Sequence, residues 1–134
     1  ILSILQFLFN TNNMEAILIY IIENLFFLPF LTGVIFVITA LISLRFPPKK
    51  INDLYGYRTG NSKKNQEVWN FSQKFSSIKM IQSGLFLVAI SFLGMVFHPD
   101  EKVQLIVGIG LSILVCVFLF YTTEKAIKKN FQNL

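Results

Sequence analysis

Charge is scarce in this sequence. Only 14% of its 134 residues are Asp, Glu, Lys or Arg, against roughly a quarter in a soluble domain. Histidine and cysteine occur once each, as His98 and Cys116. A single cysteine excludes an internal disulfide, and no metal-ligand spacing surrounds the single histidine. Residues 1–24 contain no Lys or Arg, which argues against a signal peptide with a basic leading region. Asn61-Ser62-Lys63-Lys64-Asn65 lacks the glycines of a phosphate loop. Asp53 and Glu67 share a segment, but no nucleophile-base pattern accompanies them. Strict period-2 alternation is missing too, which argues against a membrane barrel.

Apolar sequence fills the space. Hydrophobic residues make up 54% of the chain, with 15 Phe. Three uncharged runs are long enough to cross a bilayer: Leu25–Leu44, Met80–Phe97 and Val103–Thr122. About 20 residues at roughly 1.5 Å each span the hydrocarbon core, and a helix satisfies its own backbone there. No run has an ionisable residue at its centre, which argues against an ion or proton relay. Cys116 lies inside the third run and reads as a small apolar filler. Gly108 and Ser112 place small residues four apart, a spacing that lets helices approach closely. The chain starts at Ile1, so Met14 is a candidate start. Ile17–Ile22 is apolar as well, so the first helix can begin before Leu25, with Pro29 either kinking it or falling in its first turn.

The basic residues set the expected orientation. Arg45, Lys49, Lys50, Arg58, Lys63, Lys64, Lys74 and Lys79 lie between the first two runs. Lys102 stands alone in the second link, and Lys125, Lys128 and Lys129 follow the third run. With three crossings, eleven of the twelve fall on one side. That side is expected to be the cytoplasm, leaving the N-terminus outside and the C-terminus inside. The net charge of +5 then reflects membrane flanks rather than nucleic-acid binding. His98 reads as a surface imidazole on the outer side.

The reading is one membrane domain, residues 1–134. Residues 1–24 are outside or begin the first helix; 25–44 form the first span, 78–98 the second, 103–122 the third, and 123–134 a cytoplasmic tail. Residues 45–77 form a cytoplasmic loop and helix. Pro47 and Pro48 end the first span. Asn52-Asp53, Gly56 and Gly60-Asn61 supply turn chemistry. Tyr55, Tyr57 and Trp69 suit an interface, and Arg58 offers a flat five-donor fork. A helix is expected from Ser62, with Val68, Phe71, Phe75 and Ile78 as its apolar face and a bend at Ser76-Ser77. The fold class is therefore all-α: three transmembrane helices plus a cytoplasmic interfacial amphipathic helix between the first and second.

The stretch Pro47–Ser76 resembles the SdpI family of small bacterial membrane proteins, named for immunity to a secreted peptide toxin. The matching residues are Tyr55-Gly56-Tyr57-Arg58-Thr59, then Ser62, Lys64-Asn65, Trp69 and Gln73, with Thr123–Lys129 after the third span. The resemblance implies protection from a peptide toxin and a receptor role in which a cytosolic repressor is held at the membrane. Longer members carry an additional membrane-spanning N-terminal half, so this chain is expected to be a short member. Candidate partner-binding residues are Asn52, Tyr55, Gly56, Tyr57, Arg58, Thr59, Ser62, Lys64, Asn65, Trp69 and Gln73. No catalytic residue, metal or cofactor is expected. Expected partners are the lipid bilayer, a peptide toxin and a cytosolic repressor; oligomerisation is left open. Two other readings stand beside this one: a protein that binds or processes lipid headgroups, and a purely structural helix bundle.

Overall fold

The computed structural model describes residues 11–132. The expectations placed on residues 1–10 and on the last two residues lie outside the described part. Among the described residues the fold is helical, with no strands. In chain order the helices are α1 (Thr11–Asn24), α2 (Phe27–Arg45), α3 (Gln66–Ser91), the single turn α4 (Gly94–Phe97) and α5 (Glu101–Asn130). Three segments are long and apolar enough to cross a membrane: Phe27–Arg45, Gln66–Phe97 and Glu101–Asn130. The chain is a multi-pass membrane protein.

The first apolar stretch is broken. α1 stops at Asn24, and Leu25 and Phe26 are buried at the joint. Phe26 N–H donates to the Ser91 carbonyl at 3.0 Å, tying the joint to the end of α3. Pro29 is the third residue of the restarted helix, where its missing N–H leaves no intrahelical bond unmade. Of the two roles open to Pro29, the first-turn role holds. Gly94 packs on the same joint; a Cβ there would meet the Asn24 carbonyl and lie 2.9 Å from Phe26 N.

Small residues bring the spans together. A Cβ on Gly33 would sit 2.6 Å from the Gly84 carbonyl, and one on Gly84 would sit 2.7 Å from the Gly33 carbonyl. α2 and α3 thus touch backbone to backbone, as membrane helices do where shape rather than hydrophobicity drives association. α5 docks at Gly108 against Leu28 and Pro29. One turn on, Ser112 Oγ and Thr32 Oγ1 share a hydrogen bond of 3.2 Å. The expected close approach at Gly108 and Ser112 is therefore present. Cys116 is exposed, in line with a residue that faces lipid.

Two expectations need correction. The helix after the loop starts at Gln66, not Ser62, and runs unbroken through Ser76 and Ser77 to Ser91. It is continuous with the second span, as one helix from Gln66 to Ser91. Both serine hydroxyls bond back to the Gln73 carbonyl, so neither interrupts the backbone ladder. The packed face is also rotated: Val68, Trp69, Ser72, Gln73, Ser76 and Ser77 are buried. Phe71 and Phe75 stack on each other at 5.6 Å, and Ile78 is exposed. Near lipid, large apolar side chains gain little from facing inward, and small residues allow closer packing. Beyond the third apolar run, α5 continues as helix to Asn130.

Candidate functional site

The polar segment after α2 folds into a compact cap at one end of the bundle. α2 ends at Arg45, and Pro47-Pro48 carry the chain across the start of α3. Trp69 is fully buried and donates from Nε1 to the Pro48 carbonyl at 2.8 Å. Gln66 Nε2 donates to the Lys49 carbonyl at 2.7 Å. The indole is therefore a beam inside the fold, and the expected role of Trp69 at the headgroups is not what its position serves.

Turn chemistry shapes the next stretch. Asn52 Oδ1 accepts from the backbone N–H groups of Leu54 and Tyr55 at 2.9 and 2.8 Å. Tyr55 hydroxyl donates to the Phe46 carbonyl at 3.1 Å. Gly56 has φ +99°, and a Cβ there would run into Gln73 Oε1 and lie 2.9 Å from Pro48 Cγ. Only glycine fits both the conformation and the space. The close approach lets Gln73 grip the backbone of Tyr57 at both ends: Oε1 accepts from its N–H at 2.7 Å, and Nε2 donates to its carbonyl at 2.8 Å.

Glu124 on α5 is the hub. Its Oε1 accepts from Tyr57 hydroxyl at 3.0 Å and from Thr59 Oγ1 at 2.7 Å. Its Oε2 accepts from Asn61 Nδ2 at 2.7 Å. Ser62 is fully buried and closes the turn: its Oγ accepts from Thr59 N–H at 2.8 Å and bridges the carbonyls of Tyr57 and Thr59. Asn65 caps α3, accepting from Val68 N–H at 2.9 Å. Lys63 pairs with Asp53 at 2.7 Å at the surface.

The electrostatics follow this geometry. Partial burial, then the Glu124 carboxylate, raises the Tyr57 phenol above its ordinary range, so it stays a donor. Glu124 lies two residues past the apolar run Val103–Thr122. Its carboxylate already accepts hydrogen bonds from Tyr57, Thr59 and Asn61. A carboxylate with three donors already in place suits an anchor better than a base. The Lys63 hydrogen bond lowers Asp53. Among the described residues no group of three His, Cys, Asp or Glu is placed to hold a metal.

The eleven sequence candidates share one end of the molecule but do different things. Gly56, Tyr57, Thr59, Ser62, Trp69 and Gln73 form the inner framework. Asn52 and Asn65 hold local turns, and Tyr55 braces the end of α2. Arg58 is exposed; its Nη1 donates to the Asp53 carbonyl. Lys64 is exposed on the rim of a concavity of about 220 Å³ shared with Asn61, Val68, Ile127, Lys128 and Phe131. Sequence reasoning missed Glu124 as the hub. The available signal was an acid two residues beyond a twenty-residue uncharged run. His98, at the opposite end, is exposed and pairs through Nε2 with Tyr20 hydroxyl at 3.1 Å.

The sequence profile of the SdpI/YfhL protein family matches residues 49–122. The uncharacterized protein YfhL of Bacillus subtilis (strain 168) is 36% identical over 96 residues, covering 72% of this chain and 82% of that protein. No solved structure matches. The matched region holds the capping loop, all of α3 and α5 as far as Thr122; Glu124 stands just beyond it.

Proposed function

The chain belongs to the SdpI/YfhL family, and from that premise we propose that it is a non-enzymatic membrane protein of immunity and signalling type. It protects its cell from a secreted antimicrobial peptide and holds a cytosolic repressor at the inner face of the membrane. Its N-terminus is outside and its C-terminus inside, the orientation favoured by eleven of twelve basic residues. The loop cap is then cytoplasmic.

The observation that carries this reading is the Glu124 latch. One carboxylate on the third span accepts from three side chains of the loop at 2.7–3.0 Å. A displacement of the third span caused by a toxin is thereby transmitted to the loop. Arg58 stands at the surface of that loop, with a planar fork suited to a partner's carboxylates or carbonyls.

The test is survival of a sensitive bacterium under peptide challenge, with protein abundance measured in the same cells. Wild type is expected to protect, and Arg58→Ala to lose protection at unchanged abundance. Equal killing of wild type, Arg58→Ala and empty-vector cells would sink the immunity reading. Loss of protection that only tracks loss of protein would favour a structural bundle.

A further inference from the structure

A second feature lies beside the cap. A concavity of about 420 Å³ opens between the end of α2 and the leading part of α3. Ser43 and Leu44 from the last turn of α2, and Pro47, form its membrane-side wall; Lys49, Asn70 and Lys74 form its polar rim. No acidic residue lines it. Among the described residues neither Lys49 nor Lys74 is paired with a carboxylate.

The rim is held in place. Lys49 follows two prolines, and the chain beside it is pinned twice to α3: Trp69 donates to the Pro48 carbonyl at 2.8 Å, and Gln66 to the Lys49 carbonyl at 2.7 Å. Gln66, Asn70 and Lys74 recur every four residues along one face of α3. Gln66 Nε2 also donates to Asn70 Oδ1 at 2.8 Å, which leaves the Asn70 nitrogen as the donor end. Lys49, Asn70 and Lys74 thus line one concavity whose other wall carries Leu44 and Pro47.

We propose that this concavity binds the phosphate of one anionic glycerophospholipid, with Lys49 and Lys74 on the phosphate and the acyl chains running down past Leu44. The charge pattern selects the occupant. A zwitterionic headgroup would bring its own cation into a rim that already holds two, whereas a phosphate carrying net negative charge neutralises them. The apolar wall selects a lipid over a free anion. The site is independent of the immunity reading, since it uses neither Arg58 nor the Glu124 latch.

The experiment is native mass spectrometry of the full chain released from nanodiscs of equal phosphatidylglycerol and phosphatidylethanolamine. Wild type is expected to retain phosphatidylglycerol about tenfold over phosphatidylethanolamine. The double variant Lys49→Gln/Lys74→Gln is expected to lose that preference. Lys125→Gln/Lys129→Gln removes equal charge from the same end of the bundle and is expected to keep it. Lys74→Gln alone, at an exposed position, serves if the double variant fails to give a monodisperse peak in detergent, and is expected to lose part of the preference. No preference in wild type would overturn the proposal. So would equal loss in the Lys125/Lys129 control, or displacement of the lipid by millimolar inorganic phosphate.

Discussion

The middle of the bundle and its loop-bearing end are held by different physics. In the middle, α2 and α3 meet through Gly33 and Gly84, each within 2.7 Å of where the other's side chain would begin. Between those two glycines the contact is one of shape: the helices approach because no side chain is in the way. At the loop end, Gln73, Ser62 and Glu124 fix the backbone and side chains of a turn-rich segment through oriented hydrogen bonds. Lipid supplies no hydrophobic force between helices, so shape decides in the middle. At the interface water competes for every polar group, and only convergent sets of bonds define one shape.

Substitutions should separate the two regimes. The largest effect is expected from Gly84→Leu. The new side chain would have to push α2 off α3, and overpacking of this kind costs about 1–3 kcal/mol or more. Thermal unfolding in detergent should show a large drop in midpoint, or no folded protein at all. Gly56→Ala comes next, because it adds left-handed strain to a clash with Gln73; about 2 kcal/mol is expected. Its mark should be increased proteolysis within residues 51–64 while the helical signal from circular dichroism is kept.

Glu124→Ala removes one acceptor from three donors, and hydrogen bonds to a charged group contribute about 1.5–3 kcal/mol each when fully shielded, less at this partly exposed site. Proteolysis within residues 51–64 should rise in Glu124→Ala, and Glu124→Gln, which keeps one acceptor oxygen, should show a smaller rise. Asn65→Ala should cost about 1 kcal/mol as a lost helix cap, read as a smaller shift in the unfolding midpoint. Smallest of all is Arg58→Ala, expected within about 0.5 kcal/mol of wild type because its side chain is exposed.

The two regimes also differ in how far the sequence reveals them. Uncharged runs of about twenty residues point directly to membrane spans because their length matches the bilayer. The turn at Gly56 and the break after Arg45 are legible because Gly and Pro have fixed conformational rules. Orientation of faces is not legible in the same way. The stripe Val68, Phe71, Phe75 and Ile78 follows a rule for water-soluble helices, and near lipid the packed side is instead the serine side of α3. Gly33 meeting Gly84 is a contact between two spans, and nothing local in either announces it. Glu124 sits more than sixty residues from Tyr57, so its role depends on the fold that brings α5 beside the loop. Arg58 and Asn61 look alike as polar loop residues, yet one faces out and the other closes the latch.

The central claim is that the third span and the capping loop act as one unit through Glu124. A double-mutant cycle of Asn61→Ala and Glu124→Ala, read as unfolding free energy in detergent, tests it most directly. The account predicts strong coupling: once Glu124 is gone, removing Asn61 costs almost nothing more, and the interaction energy exceeds about 0.5 kcal/mol. Losses that simply add would show that the carboxylate and the loop are independent, and would contradict the latch.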